Sequence, residues 1–199
     1  MSASGRFRRI TVFCGSRTGN RPIYRDLATR LGHALAARSI GLVYGGGNVG
    51  LMGVVADAVL ERGGEAIGVI PHGLERLELA HRGVRDMRVV DSMHERKQLM
   101  ASLSQATIAL PGSMGTMDEL FESLTWSQLG IDVRPIGLLN VEGYYDAFLA
   151  LLDRFQRDGF LEPRNLFALV VRDEPEALLD ALETHVLDER PKWLTKDQG

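Results

Sequence analysis

The stretch Leu110-Pro111-Gly112-Ser113-Met114-Gly115-Thr116-Met117-Asp118-Glu119-Leu120-Phe121-Glu122 decides how the rest of the chain is read. Into it runs Ala106-Thr107-Ile108-Ala109-Leu110, a short apolar segment with the character of a buried strand. Pro111-Gly112 ends that strand. Gly115-Thr116 then opens a helix, because Thr116 followed three residues later by Glu119 is the pattern of a capping box. A glycine-bearing loop between a strand end and a helix start presents backbone N–H groups at the positive end of a helix dipole. That arrangement binds anions, phosphate above all. The loop therefore reads as a nucleotide-phosphate site, with Glu119 placed to act on the attached sugar.

Outward from this stretch, strands and helices alternate. Further strands are expected at Ile10–Cys14, Ile40–Tyr44, Glu65–Ile70, Met87–Val90, Pro135–Asn140 and Ala168–Val171. Helices are expected at about 22–38, with Leu27, Leu31 and Leu35 on one stripe, at about 49–62, from Ser92 onward, at about 144–157 and at 175–187. Pro71 to Arg85 is a long loop with room for helical turns. The strands are short and continuously apolar rather than alternating, which is the signature of a parallel sheet covered on both faces. No linker, repeat or low-complexity segment interrupts the pattern. The fold class is α/β: a single doubly wound, Rossmann-like domain over 1–199, its core at about 8–187 and its tails at 1–7 and 188–199.

Bulk properties narrow the function. The 199 residues are 45% hydrophobic and 25% charged, as in a globular domain. A net charge of −3 argues against a nucleic-acid partner and leaves room for a local basic pocket. Cys14 is the only cysteine, so no intrachain disulfide forms, which fits a cytoplasmic location. The apolar run after Arg6, Arg8 and Arg9 is too short for a signal peptide, and no stretch reaches transmembrane length, so no membrane attachment is expected.

In such sheets ligands bind outside the carboxyl ends of the strands. Four loops lie there: 15–20, 45–50, 92–97 and 111–116. Gly45-Gly46-Gly47-Asn48-Val49-Gly50 matches G-x-G-x-x-G, but the next strand ends Val69-Ile70-Pro71-His72 without the acid a dinucleotide ribose needs. A mononucleotide site ranks above a nicotinamide dehydrogenase. Gly50 and Gly53 suit equally a close helix–sheet contact. Ser92 and Glu95 form a second capping box, and Arg96 falls inside the apolar stripe of Met93, Leu99, Met100 and Leu103. A charge there must meet an anion, either a ligand in the crevice or a core carboxylate. Lys97 flanks the stripe, as a second cation or as a merely solvated side chain. Glu119 also has a purely structural reading, as the acid of its capping box. Glu119, Glu122 and Trp126 share a second helix face, which suggests cover by another subunit. His33, His72, His81, His94 and His185 are scattered, and Gln98 occupies the place where His94-Glu95 would need its second histidine, so no metal site is expected. No G-x-S-x-G elbow is present. Of the three lysines, Lys97, Lys192 and Lys196, only Lys97 is placed for a Schiff base with pyridoxal phosphate, and no cofactor is expected.

Together Cys14-Gly15-Ser16-Arg17, Tyr44 to Gly53, Met93-His94-Glu95-Arg96-Lys97 and Pro111 to Glu119 resemble the LOG ("Lonely Guy") family of cytokinin riboside 5′-monophosphate phosphoribohydrolases, formerly described as lysine decarboxylases. The resemblance runs from about Ile10 to Leu187. It implies hydrolysis of the N-glycosidic bond of a purine-type nucleoside 5′-monophosphate to free base and ribose 5-phosphate, by a protein that is usually a homodimer. By motif, Arg96 and Glu119 match the family's catalytic pair. Glu78, Lys97, Ser113, Met114, Gly115, Thr116, Met117, Asp118 and Thr125 match its substrate-binding positions, and Ser16, Gly45, Gly46, Gly47 and Gly112 join them on the same loops. Ser113 replaces the second glycine of the family's Pro-Gly-Gly-x-Gly-Thr loop; if that position required φ > 0, serine would cost stability or phosphate affinity. Asp118 replaces the usual glutamate beside Glu119. The competing reading is a carrier that holds a nucleotide or pterin-type cofactor without hydrolysing it, and a pyridoxal-dependent lysine decarboxylase is the third.

Overall fold

A computed structural model describes residues 6–75 and 79–187. Seven strands form one sheet: β1 (Arg9–Phe13), β2 (Gly41–Tyr44), β3 (Ala66–Pro71), β4 (Asp86–Val90), β5 (Ala106–Ala109), β6 (Ile136–Leu139) and β7 (Leu169–Arg172). Their order is β4-β3-β2-β1-β5-β6-β7, and every neighbouring pair is parallel. The chain winds outward from β1 to β4, returns to place β5 beside β1, and winds outward the other way. The reversal leaves a crevice at the carboxyl ends of β1 and β5, the position where open α/β sheets bind ligands.

The helices are α1 (Pro22–Ala37), α2 (Gly50–Glu61), α3 (His72–Glu75), α4 (Met93–Leu103), α5 (Met114–Leu129), α6 (Asp146–Arg157) and α7 (Pro175–Thr184), with 3-10 turns at Val141–Gly143 and Pro163–Leu166. Strand residues alternate between two apolar layers. Ile10, Val12, Leu42, Tyr44 and Ile108 pack with α1, α2 and α7 on one face. Phe13, Val43 and Ile67 meet Met100 of α4 on the other face, where Ala109, Ile136 and Leu138 meet Leu120 of α5 and Phe148 of α6. The α1 stripe of Leu27, Leu31 and Leu35 is fully buried, each side chain contributing about 1.5–3 kcal/mol. No helix among the described residues is long and apolar enough to cross a membrane.

Two sequence expectations change here. The helix after β5 begins at Met114 with Ser113 as its N-cap, not at Gly115-Thr116, so the Thr116–Glu119 capping box does not form. Thr116 lies inside the first turn, its hydroxyl packed where a side chain on Gly112 would stand. The expected amino-terminal tail, 1–7, is anchored at its end: Phe7 is buried in the core, and Arg6 donates to the carbonyls of Leu182, Glu183 and His185. The expected tail at 188–199 lies outside the described residues.

Candidate active site

The crevice between the ends of β1 and β5 opens into a cavity of about 300 Å³. Ser113, Gly115 and Thr116 line it from the first turn of α5, Gly45 and Gly47 from the loop after β2, and Ser16 from the loop after β1. Arg96 and Glu119 supply its charged groups. These eight sequence-predicted residues are thus brought together. A second cavity of about 440 Å³ adjoins it, sharing Gly15, Ser16 and Ser113, and Gly112 faces this one.

Arg96 and Glu119 are 8% and 7% exposed, and the Arg96 Nη2 lies 3.9 Å from the Glu119 Oε1. The pair is a loose one, too long for a hydrogen bond. Arg96 Nη1 donates only to the Met93 sulfur at 3.6 Å, and its Nε is buried with no partner among the described residues. Burial pushes the Glu119 carboxyl up to about 7, against the opposing pull of Arg96. With the capping box gone, nothing in the helix start accounts for burying Glu119. The position of Arg96 depends on Gly45: a Cβ there would overlap the guanidinium. So one glycine of the G-x-G-x-x-G pattern makes room for a cation rather than for a dinucleotide. Gly50, at φ +62°, presses α2 against the Ser16–Arg17 peptide instead of the sheet.

Other predicted residues stand apart. Lys97 is buried but does not line the cavity. Its ammonium is held by Glu122 at 3.0 Å and Asp118 at 3.1 Å. Burial alone would lower its pKa; the two carboxylates outweigh that and raise it. Asp118 is exposed and spent on this pair. Met114 is 87% exposed at the rim, Met117 packs against the layer of α5 and α6, and Thr125 is exposed two turns beyond Glu119. Gly46 adopts φ +73° with its α-carbon toward Ile70 and Met87 rather than the cavity. Glu78 lies outside the described residues. Ser113 has φ −116°, outside the left-handed region that favours glycine, so no positive φ demands glycine there. Trp126 is partly buried beside Lys97, Glu122 and Arg134 of its own chain.

Sequence reasoning missed two contributions. The first is an apolar wall to the cavity, formed by Met52, Leu74, Leu79, Met93 and Met100. The second is the loop after β6, which also lies at the carboxyl edge but carries no glycine-rich signature. From it the Tyr144 hydroxyl donates to the Gly112 carbonyl and the Tyr145 hydroxyl to the Leu110 carbonyl, both at 2.5 Å. These two bonds hold the strand-to-helix turn on which the site is built.

A family model described as a possible lysine decarboxylase matches residues 52–182. The probable cytokinin riboside 5′-monophosphate phosphoribohydrolase LOGL9 of Oryza sativa subsp. japonica is 50% identical over 181 residues, 91% of this chain and 80% of that protein. The cytokinin riboside 5′-monophosphate phosphoribohydrolase LOG1 of Arabidopsis thaliana is 46% identical over 186 residues, 94% of this chain and 87% of that protein. Among solved structures, the molybdenum cofactor carrier protein of Chlamydomonas reinhardtii matches with a TM-score of 0.67 at 21% identity, covering 88% of this chain and 95% of that one. That likeness is one of fold. Matched along nine-tenths of its length at close to half identity, the chain belongs to the LOG family of cytokinin riboside 5′-monophosphate phosphoribohydrolases.

Proposed function

We propose that this protein hydrolyses the N-glycosidic bond of a purine or cytokinin nucleoside 5′-monophosphate, giving the free base and ribose 5-phosphate. The activity named for its relatives supports this reading. The observation that carries it is the buried Glu119 carboxyl, tuned to about 7 and set loosely against Arg96 on the cavity wall. The 5′-phosphate lies at the first turn of α5, where N–H groups and the helix dipole favour an anion. The ribose then reaches back toward Glu119. As the C1′–N bond breaks, its electron pair leaves with the base and positive charge develops on the sugar. The Glu119 carboxylate stabilises that charge and takes a proton from the water whose oxygen bonds to C1′. The departing base takes up the proton that Glu119 has accepted, and the carboxylate is restored. Arg96 holds the carboxylate and the ribose in register. Because the carboxylate form acts, kcat/KM rises with pH through about 7.

Pyridoxal chemistry does not suit these residues. A Schiff base needs a neutral amine facing the aldehyde, and Lys97 is kept charged between two carboxylates away from the cavity. A homodimer and a cytoplasmic location belong to the same proposal. Exposed Leu129 and Ile131 at the end of α5 offer an apolar surface for a second copy, and the mass in solution checks it. The test of function is incubation of the pure protein separately with AMP and N6-isopentenyladenosine monophosphate, with products separated by chromatography. Free base and ribose 5-phosphate in equal amounts are expected. Intact nucleotide recovered from the protein would favour a carrier.

A further inference from the structure

Among the described residues, the cations beside the phosphate loop all face carboxylates, with one exception. Arg96 faces Glu119, Lys97 is held by Asp118 and Glu122, and Arg21 pairs with Glu142. A phosphate monoester carries about −1.5 to −2 charges at neutral pH, and a helix N-terminus supplies only about half a positive charge. Arg96, set loosely against Glu119, offers part of a counter-charge to such a group, and the paired Lys97 and Arg21 offer less.

The exception is Arg17. It is exposed, forms no ion pair with any described residue, and lines the second cavity, which meets the first across Gly15, Ser16 and Ser113. Its backbone is fixed in place. The Gly15 amide donates to the Pro111 carbonyl at 3.0 Å, tying the loop after β1 to the turn before α5. The Leu51 amide donates to the Gly15 carbonyl at 3.0 Å, and Gly50 packs directly on the Ser16–Arg17 peptide. A guanidinium on a flexible stem, rooted in a rigid loop beside an uncapped helix start, is suited to bidentate capture of a phosphate.

We propose that Arg17 is the residue that recognises the 5′-phosphate, and that it sets the preference for nucleotides over nucleosides. The inference rests on the nucleotide reading above. An Arg17→Gln variant should raise the KM for AMP and the Kd for ribose 5-phosphate together, each by about tenfold, the loss of one charge-assisted contact. The ratio of kcat/KM for AMP over adenosine should fall by the same factor, and Arg17→Lys should recover part of it. Calorimetric titration with ribose 5-phosphate needs no turnover, so the two claims separate. If the wild type binds ribose 5-phosphate through Arg17 yet leaves AMP intact, the hydrolase reading falls and this one stands. An unchanged Kd for ribose 5-phosphate in Arg17→Gln, with an unchanged melting temperature, would overturn the proposal.

Discussion

The starts of α4 and α5 lie on the same edge of the sheet and point the same kind of group at the same crevice, but they are finished differently. At α4 the chain satisfies its own helix end. The Ser92 hydroxyl accepts from the Glu95 amide at 3.1 Å, and the Glu95 carboxylate accepts from the Asp91 amide at 2.9 Å. At α5 the N-cap is also a serine, but Ser113 makes no side-chain cap bond, and Gly115 faces open space. One helix start is closed by its own side chains; the other is left for a ligand. The charged residues follow the same division. Lys97 is saturated by two carboxylates, while its neighbour Arg96, equally buried, keeps an unpartnered Nε and a loose contact to Glu119. An unfinished helix end and an unfinished ion pair, found together, mark where the molecule expects something from outside.

The comparison breaks most severely at Glu119. Glu119→Gln should lower kcat about 10²–10⁴-fold, as expected for removing a group that moves a proton in the transition state. Its effect on stability should have the opposite sign. A carboxyl whose folded value, about 7, exceeds its ordinary 4.5 binds more protons folded than unfolded, so it costs stability as pH rises from about 4.5 to about 7. Denaturant melts across that window should show the wild type losing up to about 3 kcal/mol relative to the glutamine variant. A variant less stable than wild type at pH 8 would show that Glu119 serves the fold. Next in size is Gly45→Ala, whose methyl group displaces the Arg96 guanidinium. An approximately 10²-fold loss in kcat is expected from misplacing one catalytic group, with the circular dichroism spectrum unchanged. The smallest effects sharpen the contrast between the two serines. Ser92→Ala should cost about 1 kcal/mol and about 2–4 °C in Tm, read by thermal melts. Ser113→Ala removes no cap bond and should leave Tm where it was.

Much of this was legible from residue patterns. The apolar runs gave the parallel sheet, and the position of Arg96 inside a stripe of Met93, Leu99, Met100 and Leu103 pointed to its burial. The start of α5 was misread because Thr116 and Glu119 have the spacing of a capping box, and spacing alone does not reveal that Ser113 already holds the N-cap. Glu119 is thus buried without any capping role. The pairing of Lys97 is not legible in sequence because its partners, Asp118 and Glu122, lie on another helix, and such a pairing is written only in the packing of α4 on α5. Tyr144 and Tyr145 were overlooked because they act through hydroxyls on distant carbonyls, a function with no local sequence period. The φ of Ser113, −116°, is likewise set by the fold rather than by the local sequence, and it makes no demand for glycine.

The difference between the two helix starts has a direct test in backbone amide resonances. Titrating ¹⁵N-labelled protein with ribose 5-phosphate should shift the Met114, Gly115 and Thr116 amides strongly and leave those of Met93, His94 and Glu95 in place. Equal shifts at both helix starts, or shifts at α4 alone, would contradict the account.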